Sequence, residues 1–89
     1  MKFEIIYAKA FKKSFKRLSH TDRESVSEIL TRLANDEVLE VKYNDHALSG
    51  NLKGCRDCHI KPDLVLIYAK NKKFLELIAL NVGSHSELF

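Results

Sequence analysis

The stretch that decides the fold is Leu64-Val65-Leu66-Ile67-Tyr68, the longest continuous apolar run in the chain. A short apolar run between polar turns is typical of a central β-strand that is covered on both faces. The flanking turns are Lys61-Pro62-Asp63 and Lys70-Asn71-Lys72-Lys73. Further strands are therefore predicted on either side, from Leu52 to Ile60 and from Phe74 to Val82.

The N-terminal half changes from a strand pattern to two helix patterns. Residues 2–7 alternate as in an amphipathic strand. Apolar residues then recur at helical spacing in two segments, Phe11, Phe15 and Leu18 followed by Val26, Ile29, Leu30 and Leu33. A capping box of Thr21 and Glu24 is predicted to open the second helix. We predict one α+β domain over residues 1–89: an N-terminal strand, a helical hairpin and then an antiparallel sheet.

Composition and charge indicate a soluble globular protein, with 45% hydrophobic and 30% charged residues among 89. No apolar run approaches the ~20 residues that a membrane-spanning helix needs, and no signal-like segment follows Met1. We therefore expect a cytoplasmic protein that does not contact a membrane. Basic residues gather in residues 1–20 and again after residue 50. This distribution suits either a nucleic-acid surface or solvated helix faces.

The Cys55-Arg56-Asp57-Cys58 segment has the spacing of a redox or metal-binding motif. Its position within a predicted strand argues against both, because residues three apart on a strand point to opposite faces. A zinc site that recruits His46 and His59 is an alternative, but the chain has no second C-x-x-C. We therefore predict no metal site and no cofactor.

Ionisable side chains are concentrated in one span and near the C-terminus: His46, Arg56, Asp57, His59, Asp63 and His85. Asp57 and His59 are two apart and are predicted to share one strand face. Arg56 is predicted on the opposite face unless a bulge at Gly54 turns it. Histidines beside carboxylates suit general acid–base catalysis, for example on RNA, which supplies its own 2′-hydroxyl nucleophile. The alternative is a set of scattered surface histidines that share no site.

Four motifs make the chain resemble a known family. They are Tyr43-x-Asp45-His46-x-Leu48-x-Gly50, Arg56-Asp57-x-His59-Ile60-x-Pro62-Asp63, Leu66-Ile67-Tyr68 and Gly83-Ser84-His85-Ser86-Glu87-Leu88-Phe89. In number, order and spacing they resemble the YafQ branch of the RelE/ParE superfamily of type II toxin–antitoxin systems. The resemblance covers essentially the whole chain and implies a RelE-like α+β fold.

The resemblance also implies an activity and partners. The activity is that of a ribosome-dependent endoribonuclease that cuts mRNA in the A site. The partners are the ribosome, mRNA and a cognate antitoxin protein, and whether the toxin–antitoxin complex also binds operator DNA is open. The alternative within the superfamily is a ParE-like toxin that inhibits DNA gyrase by binding alone and has no need of the three histidines.

The expected site residues fall into two groups, and all of them except Lys53 are carried over from the resemblance. The catalytic set is His46, His59, Asp63 and His85, and the supporting or phosphate-binding set is Lys53, Arg56, Asp57 and Phe89. We expect His85 to be the general acid and His46 the general base, although His46 and His59 could exchange roles. The family's best-known member has an aromatic residue after the aspartate that matches Asp63. This chain has Leu64 there, so a stacking contact to a base is expected to be lost.

Overall fold

A five-stranded sheet organises the computed structural model, which describes residues 2–89. The strands are β1 (Glu4–Tyr7), β2 (His46–Ala47), β3 (Arg56–Lys61), β4 (Leu64–Asn71) and β5 (Glu76–Gly83). The helices are α1 (Lys9–Arg17), α2 (His20–Ala34) and α3 (His85–Leu88), with 3₁₀ turns at Val41–Tyr43 and Gly50–Leu52. This order of elements confirms the predicted α+β class. No helix within residues 2–89 is long and apolar enough to span a membrane.

The strand order is β1-β5-β4-β3-β2, with every pair antiparallel except β1 and β5. The chain leaves β1, passes through the helices and re-enters the sheet at the far edge as β2. It then returns by antiparallel steps until β5 lies beside β1, and the two run parallel. The predicted antiparallel sheet is therefore correct for β2 to β5, while β1 adds a parallel pair that the sequence pattern did not predict.

The central strand β4 has both faces covered, as its apolar run predicted. Leu64, Leu66 and Tyr68 are buried in the core cluster together with residues of α1 and α2. Val65 and Ile67 alternate with them, and they are also buried but lie outside that cluster. Because successive strand residues point to opposite faces, β4 separates a helix-covered face from a second face.

Both helices present their predicted apolar positions to the core: Phe11 from α1, and Val26, Ile29, Leu30 and Leu33 from α2. The predicted capping box of Thr21 and Glu24 is wrong. Ser19 is the N-cap of α2, and its hydroxyl accepts a hydrogen bond from the Asp22 backbone N–H at 3.1 Å. The helix begins two residues earlier than expected because this hydroxyl already satisfies a free donor of the first turn.

The segment from Leu52 to Ile60 is also shorter as a strand than predicted, since β3 begins only at Arg56. Gly50 and Gly54 have φ angles of 65° and 94°, values that favour glycine and that turn the chain before the strand. The sheet also gains the short strand β2, for which no strand was predicted.

We expect Leu33→Ala to lower the free energy of unfolding by about 2–5 kcal/mol, because it leaves a cavity in the core. Leu33 is 1% exposed. Val41→Ala is the control, since Val41 is 97% exposed, and it should change the unfolding free energy by less than about 0.5 kcal/mol. Urea unfolding followed by circular dichroism measures both. Equal midpoints for the two variants would contradict the assigned core.

Candidate active site

The second face of the sheet carries Asp57 and His59, which confirms that they share one face. In the β3–β4 register Asp57 lies opposite Ile67 and His59 opposite Val65. Cys58, between them, lies opposite Leu66 and belongs to the core cluster. Directly paired residues in an antiparallel ladder share a face, so Asp57 and His59 point away from the helix-covered core.

His46 joins this face from β2, where it is the register partner of Asp57. Its Nδ1 lies 2.7 Å from the Asn44 carbonyl oxygen and 3.1 Å from Asp57 Oδ1. Both neighbours are acceptors, so the neutral ring is assigned its proton on Nδ1. Nε2 then holds the lone pair and is free to accept a proton.

Asp57 is a buried carboxylate, with 3% of its surface exposed. Within residues 2–89 its Oδ1 receives no hydrogen bond of good geometry, although His46 Nδ1 is close. The two observations agree if the Nδ1–H points at the Asn44 carbonyl and Asp57 acts on the ring through its charge. A positive charge on His46 would therefore be stabilised by a carboxylate that has little water around it.

His59 extends the site along β3. Its ring centroid lies 6.4 Å from that of His46, with the ring planes inclined by 28°. A concave pocket of about 390 Å³ opens beside it and is lined by Lys42, Tyr43, Asn44, His59, Ile60, Lys61 and Pro62. The site thus combines two imidazoles, a buried carboxylate and adjoining space.

Asp63 and His85 meet at the same end of the sheet. Asp63 lies in the turn between β3 and β4, and its Oδ1 accepts a hydrogen bond from the His85 backbone N–H at 3.4 Å. His59 pairs with Val65, and Val65 pairs with Gly83 on the next strand. Gly83 lies two residues before His85 in the sequence. The structure therefore brings His85 from the C-terminus to the end of the sheet that carries His59.

The short helix α3 fixes the backbone of His85. Its N-cap Ser84 and Glu87 form a capping box, in which each side chain binds the backbone N–H of the other residue. The Ser84 backbone N–H, hydrogen-bonded to the Glu87 carboxylate, lowers the pKa of that group. Phe89 then places its ring centroid 4.9 Å from that of His85 and is half exposed.

Arg56 and Lys53 do not join these groups. Arg56 is the register partner of Tyr68 on the helix-covered face, and its Nε donates to Asp45 Oδ1 at 3.2 Å. Gly54 precedes β3 and does not turn Arg56 towards His59, so the expected phosphate contact of Arg56 at this site is not supported. Lys53 follows the 3₁₀ turn Gly50–Leu52, is exposed, and makes no ion pair with residues 2–89.

The two cysteines have no visible part in the site. Both are free, and burial raises the pKa of the Cys58 thiol to about 12, so the thiol stays protonated at neutral pH. Within residues 2–89 no group of three or more His, Cys, Asp or Glu side chains could hold a metal ion.

Sequence reasoning missed the parts played by Asn44, Asp45 and Tyr68. The Asn44 carbonyl binds His46 Nδ1, and Asp45 receives hydrogen bonds from both Arg56 and Tyr68. Asp45 and Tyr68 lay within motifs of the resemblance, and that was the signal available for them.

Known proteins are similar to this chain over nearly its whole length. The family described as "Bacterial toxin of type II toxin-antitoxin system, YafQ" matches residues 3–89. The mRNA interferase toxin YafQ of Escherichia coli K12 is 38% identical over 84 residues, which cover 93% of this chain and 87% of that protein.

Solved structures of similar proteins share the fold over nearly the whole chain. A metal-bound toxin from Helicobacter pylori has a TM-score of 0.88 at 40% identity, covering 98% of this chain and 99% of the other. YafQ in the E. coli DinJ–YafQ complex has a TM-score of 0.83 at 32% identity, covering 98% of each chain. Fold and site together define a toxin of the bacterial type II toxin–antitoxin class. Within that class, the chain belongs to the YafQ family.

We expect the neutral His46 ring to be the Nδ1–H tautomer. The control is His20, whose Nε2 lies 2.9 Å from Glu24 Oε1 and should therefore carry the proton. Long-range ¹H–¹⁵N correlation spectra, recorded at a pH where both rings are neutral, distinguish the tautomers by nitrogen shift. An Nε2–H pattern for His46 would contradict the assignment.

Proposed function

We propose that the protein is an mRNA interferase, an endoribonuclease toxin that cuts mRNA on the ribosome by metal-free acid–base catalysis. The observation that carries this proposal is the orientation of His46. Its Nδ1 faces the Asn44 carbonyl and the Asp57 carboxylate, which leaves Nε2 free as a base. The matched family and the E. coli relative named as an mRNA interferase toxin support the choice of substrate.

In the proposed reaction His46 Nε2 removes the proton of a ribose 2′-hydroxyl. The 2′-oxygen attacks the adjacent phosphorus, and the bond from phosphorus to the 5′-oxygen of the next nucleotide breaks. His85 donates a proton to that leaving oxygen, so the products are a 2′,3′-cyclic phosphate and a 5′-hydroxyl. The Asp57 charge beside Nδ1 stabilises the imidazolium that His46 becomes, as carboxylates do in other catalytic histidine pairs.

His59 and Asp63 have distinct proposed parts. His59 lies 6.4 Å from His46 between ring centroids and, when protonated, supplies positive charge to the phosphorane. It takes this part because Arg56 is bound to Asp45 on the other face. Asp63 accepts the His85 backbone N–H and so orients the general acid. The acceptors around His46 Nδ1 favour His46 over His59 as the base.

The proposed contact with a base comes from Phe89 and not from the position after Asp63. Leu64 is 4% exposed and packs in the helix-covered core, where it cannot stack on RNA. The ring of Phe89 is half exposed and lies against His85. An exposed aromatic ring beside the general acid can stack on a base next to the cut phosphate. Because every base has a flat aromatic face, such stacking is largely independent of the RNA sequence.

Proposed partners follow from the same function. The E. coli YafQ structure contains the antitoxin DinJ, and we propose a cognate antitoxin for this toxin, with operator DNA reached only through their complex. The ribosome is the proposed site of action, which places the protein in the cytoplasm. Helix α1 supports ribosome binding, because its five exposed basic side chains make no ion pair with residues 2–89: Lys9, Lys12, Lys13, Lys16 and Arg17.

We expect His46→Gln and His85→Gln each to slow mRNA cleavage by about 100-fold or more, because each removes a proton-transfer group. Primer extension on mRNA bound to programmed ribosomes measures the rate and the cut positions. His20→Gln is the matched control and should cleave at the wild-type rate. The wild-type rate should also be unchanged when transition metals are chelated at a constant Mg²⁺ concentration, which the ribosome needs to stay assembled.

Three results would overturn parts of this scheme. Full activity of the His85 variant would remove the general acid. Activity that is lost when transition metals are chelated at constant Mg²⁺, and restored by one of those metals, would replace the metal-free mechanism. Intact mRNA with arrested replication in cells would favour the ParE-like alternative that inhibits gyrase by binding.

We expect the double variant Lys13→Gln/Lys16→Gln to weaken ribosome binding and to reduce the salt dependence of the binding constant. The slope of log K against log salt should fall by about one unit per lysine if each contacts a phosphate. Lys72→Gln/Lys73→Gln is the matched control, since it removes two exposed lysines from the turn after β4. Sedimentation with ribosomes at several salt concentrations measures the slope. Equal slopes for the two double variants would exclude α1 as the docking surface.

A further inference from the structure

Asp45 precedes His46 and points to the opposite face of the sheet. Its Oδ1 accepts a hydrogen bond from Tyr68 Oη at 2.7 Å and a second from Arg56 Nε at 3.2 Å. Arg56 Nη2 also donates to the Asp45 carbonyl oxygen at 3.4 Å. Side chain and backbone of one residue are therefore both held, directly beside the proposed general base.

The donor from Tyr68 is fixed in place. Tyr68 lies in β4, is 1% exposed and belongs to the core cluster. Burial, with a further contribution from the hydrogen bond to Asp45, raises the pKa of the phenol above its usual value. The phenol therefore stays protonated and donates to Asp45 across the whole range in which histidines titrate.

The segment that carries His46 is held to β3 at few points, one of them the hydrogen bond from the Leu48 backbone N–H to the Cys55 carbonyl oxygen at 2.9 Å. Strand β2 has only two residues and two register pairs, His46 with Asp57 and Ala47 with Arg56. Asn44 adopts a left-handed conformation, with φ 46° and ψ 47°. Asparagine tolerates this conformation better than most residues do, so the sequence suits the turn before His46. The Asn44 carbonyl is also the acceptor that faces His46 Nδ1.

We propose that Asp45 and Tyr68, together with Arg56, form a clamp that positions His46 as the general base. The clamp holds residue 45 from the core side, and the flanking residues are thereby fixed, with the Asn44 carbonyl aligned on Nδ1 and the ring above Asp57. Arg56 thus acts on the reaction through Asp45 and not through the phosphate. The kinetic consequence rests on the proposed nuclease function, whereas the effect on the His46 ring does not.

Tyr68→Phe tests the clamp because it removes one donor and keeps the ring that fills the core. We expect kcat for cleavage of ribosome-bound mRNA to fall about 10- to 100-fold, with KM unchanged. Small misplacements of catalytic groups cause rate losses of this size. The His46 nitrogen shifts should move from a pure Nδ1–H pattern towards a mixture of tautomers. Tyr7→Phe is the matched control, because Tyr7 is exposed and its hydroxyl makes no hydrogen bond within residues 2–89. It should change neither kcat nor the ring shifts.

Substitutions of Asp45 separate positioning from charge. Asp45→Asn keeps an oxygen that accepts hydrogen bonds from both Tyr68 and Arg56. Its activity should therefore stay within about threefold of wild type, a smaller change than the loss of one hydrogen bond would cause. Asp45→Ala removes the acceptor and should match or exceed the loss in Tyr68→Phe. Urea unfolding of each variant confirms that the protein assayed is folded.

The outcomes are separable from those of the proposed function. Unchanged kcat and unchanged His46 ring shifts in Tyr68→Phe would overturn the clamp while wild-type cleavage upholds the nuclease. If the wild-type protein cuts no mRNA, the nuclease fails, and the ring shifts of Tyr68→Phe and Asp45→Ala still decide the clamp. Asp45→Asn behaving like Asp45→Ala would show that the carboxylate charge, and not the hydrogen-bonded position, is what His46 needs.

Discussion

The alternation of side chains along pleated strands is the constraint on which both the core and the site depend. Leu64, Leu66 and Tyr68 of β4 close the helix-covered core, while Val65 and Ile67 back the face that carries Asp57 and His59. Strand β4, buried on both sides, therefore contributes one face to the core and the other face to the site. A register slip of one residue would exchange the two faces and destroy both together.

The same alternation explains what the sequence predicted well. A continuous apolar run requires two covered faces, and the spacing of Asp57 and His59 requires one shared face; both hold in the structure. The separation of Arg56 from His59 follows from the same rule. Each of these features depends only on which face of a strand a side chain occupies, and within a strand the position of the residue in the sequence determines that face.

Other features depended on contacts between distant segments, and the sequence did not reveal them. The parallel pairing of β1 with β5 depends on where the chain re-enters the sheet, and β2 exists only because β3 is there to pair with it. The hydrogen bond of Tyr68 to Asp45 spans 23 positions, and that of His85 to Asp63 spans 22. Periodicity carries no information about such pairs, so the convergence of His46, Asp63 and His85 could be expected from the sequence only through family resemblance.

Asp57 gives the energetic argument for a functional face. It is the one charged side chain found buried within residues 2–89, and its Oδ1 lacks a well-aligned donor. An unsatisfied buried acceptor costs about 1–3 kcal/mol, and more when it is charged. An apolar residue there would continue the buried surface of Val65 and Ile67 and stabilise the fold. A buried, poorly satisfied carboxylate beside the His46 imidazole is consistent with selection for the chemistry of His46 at the expense of stability.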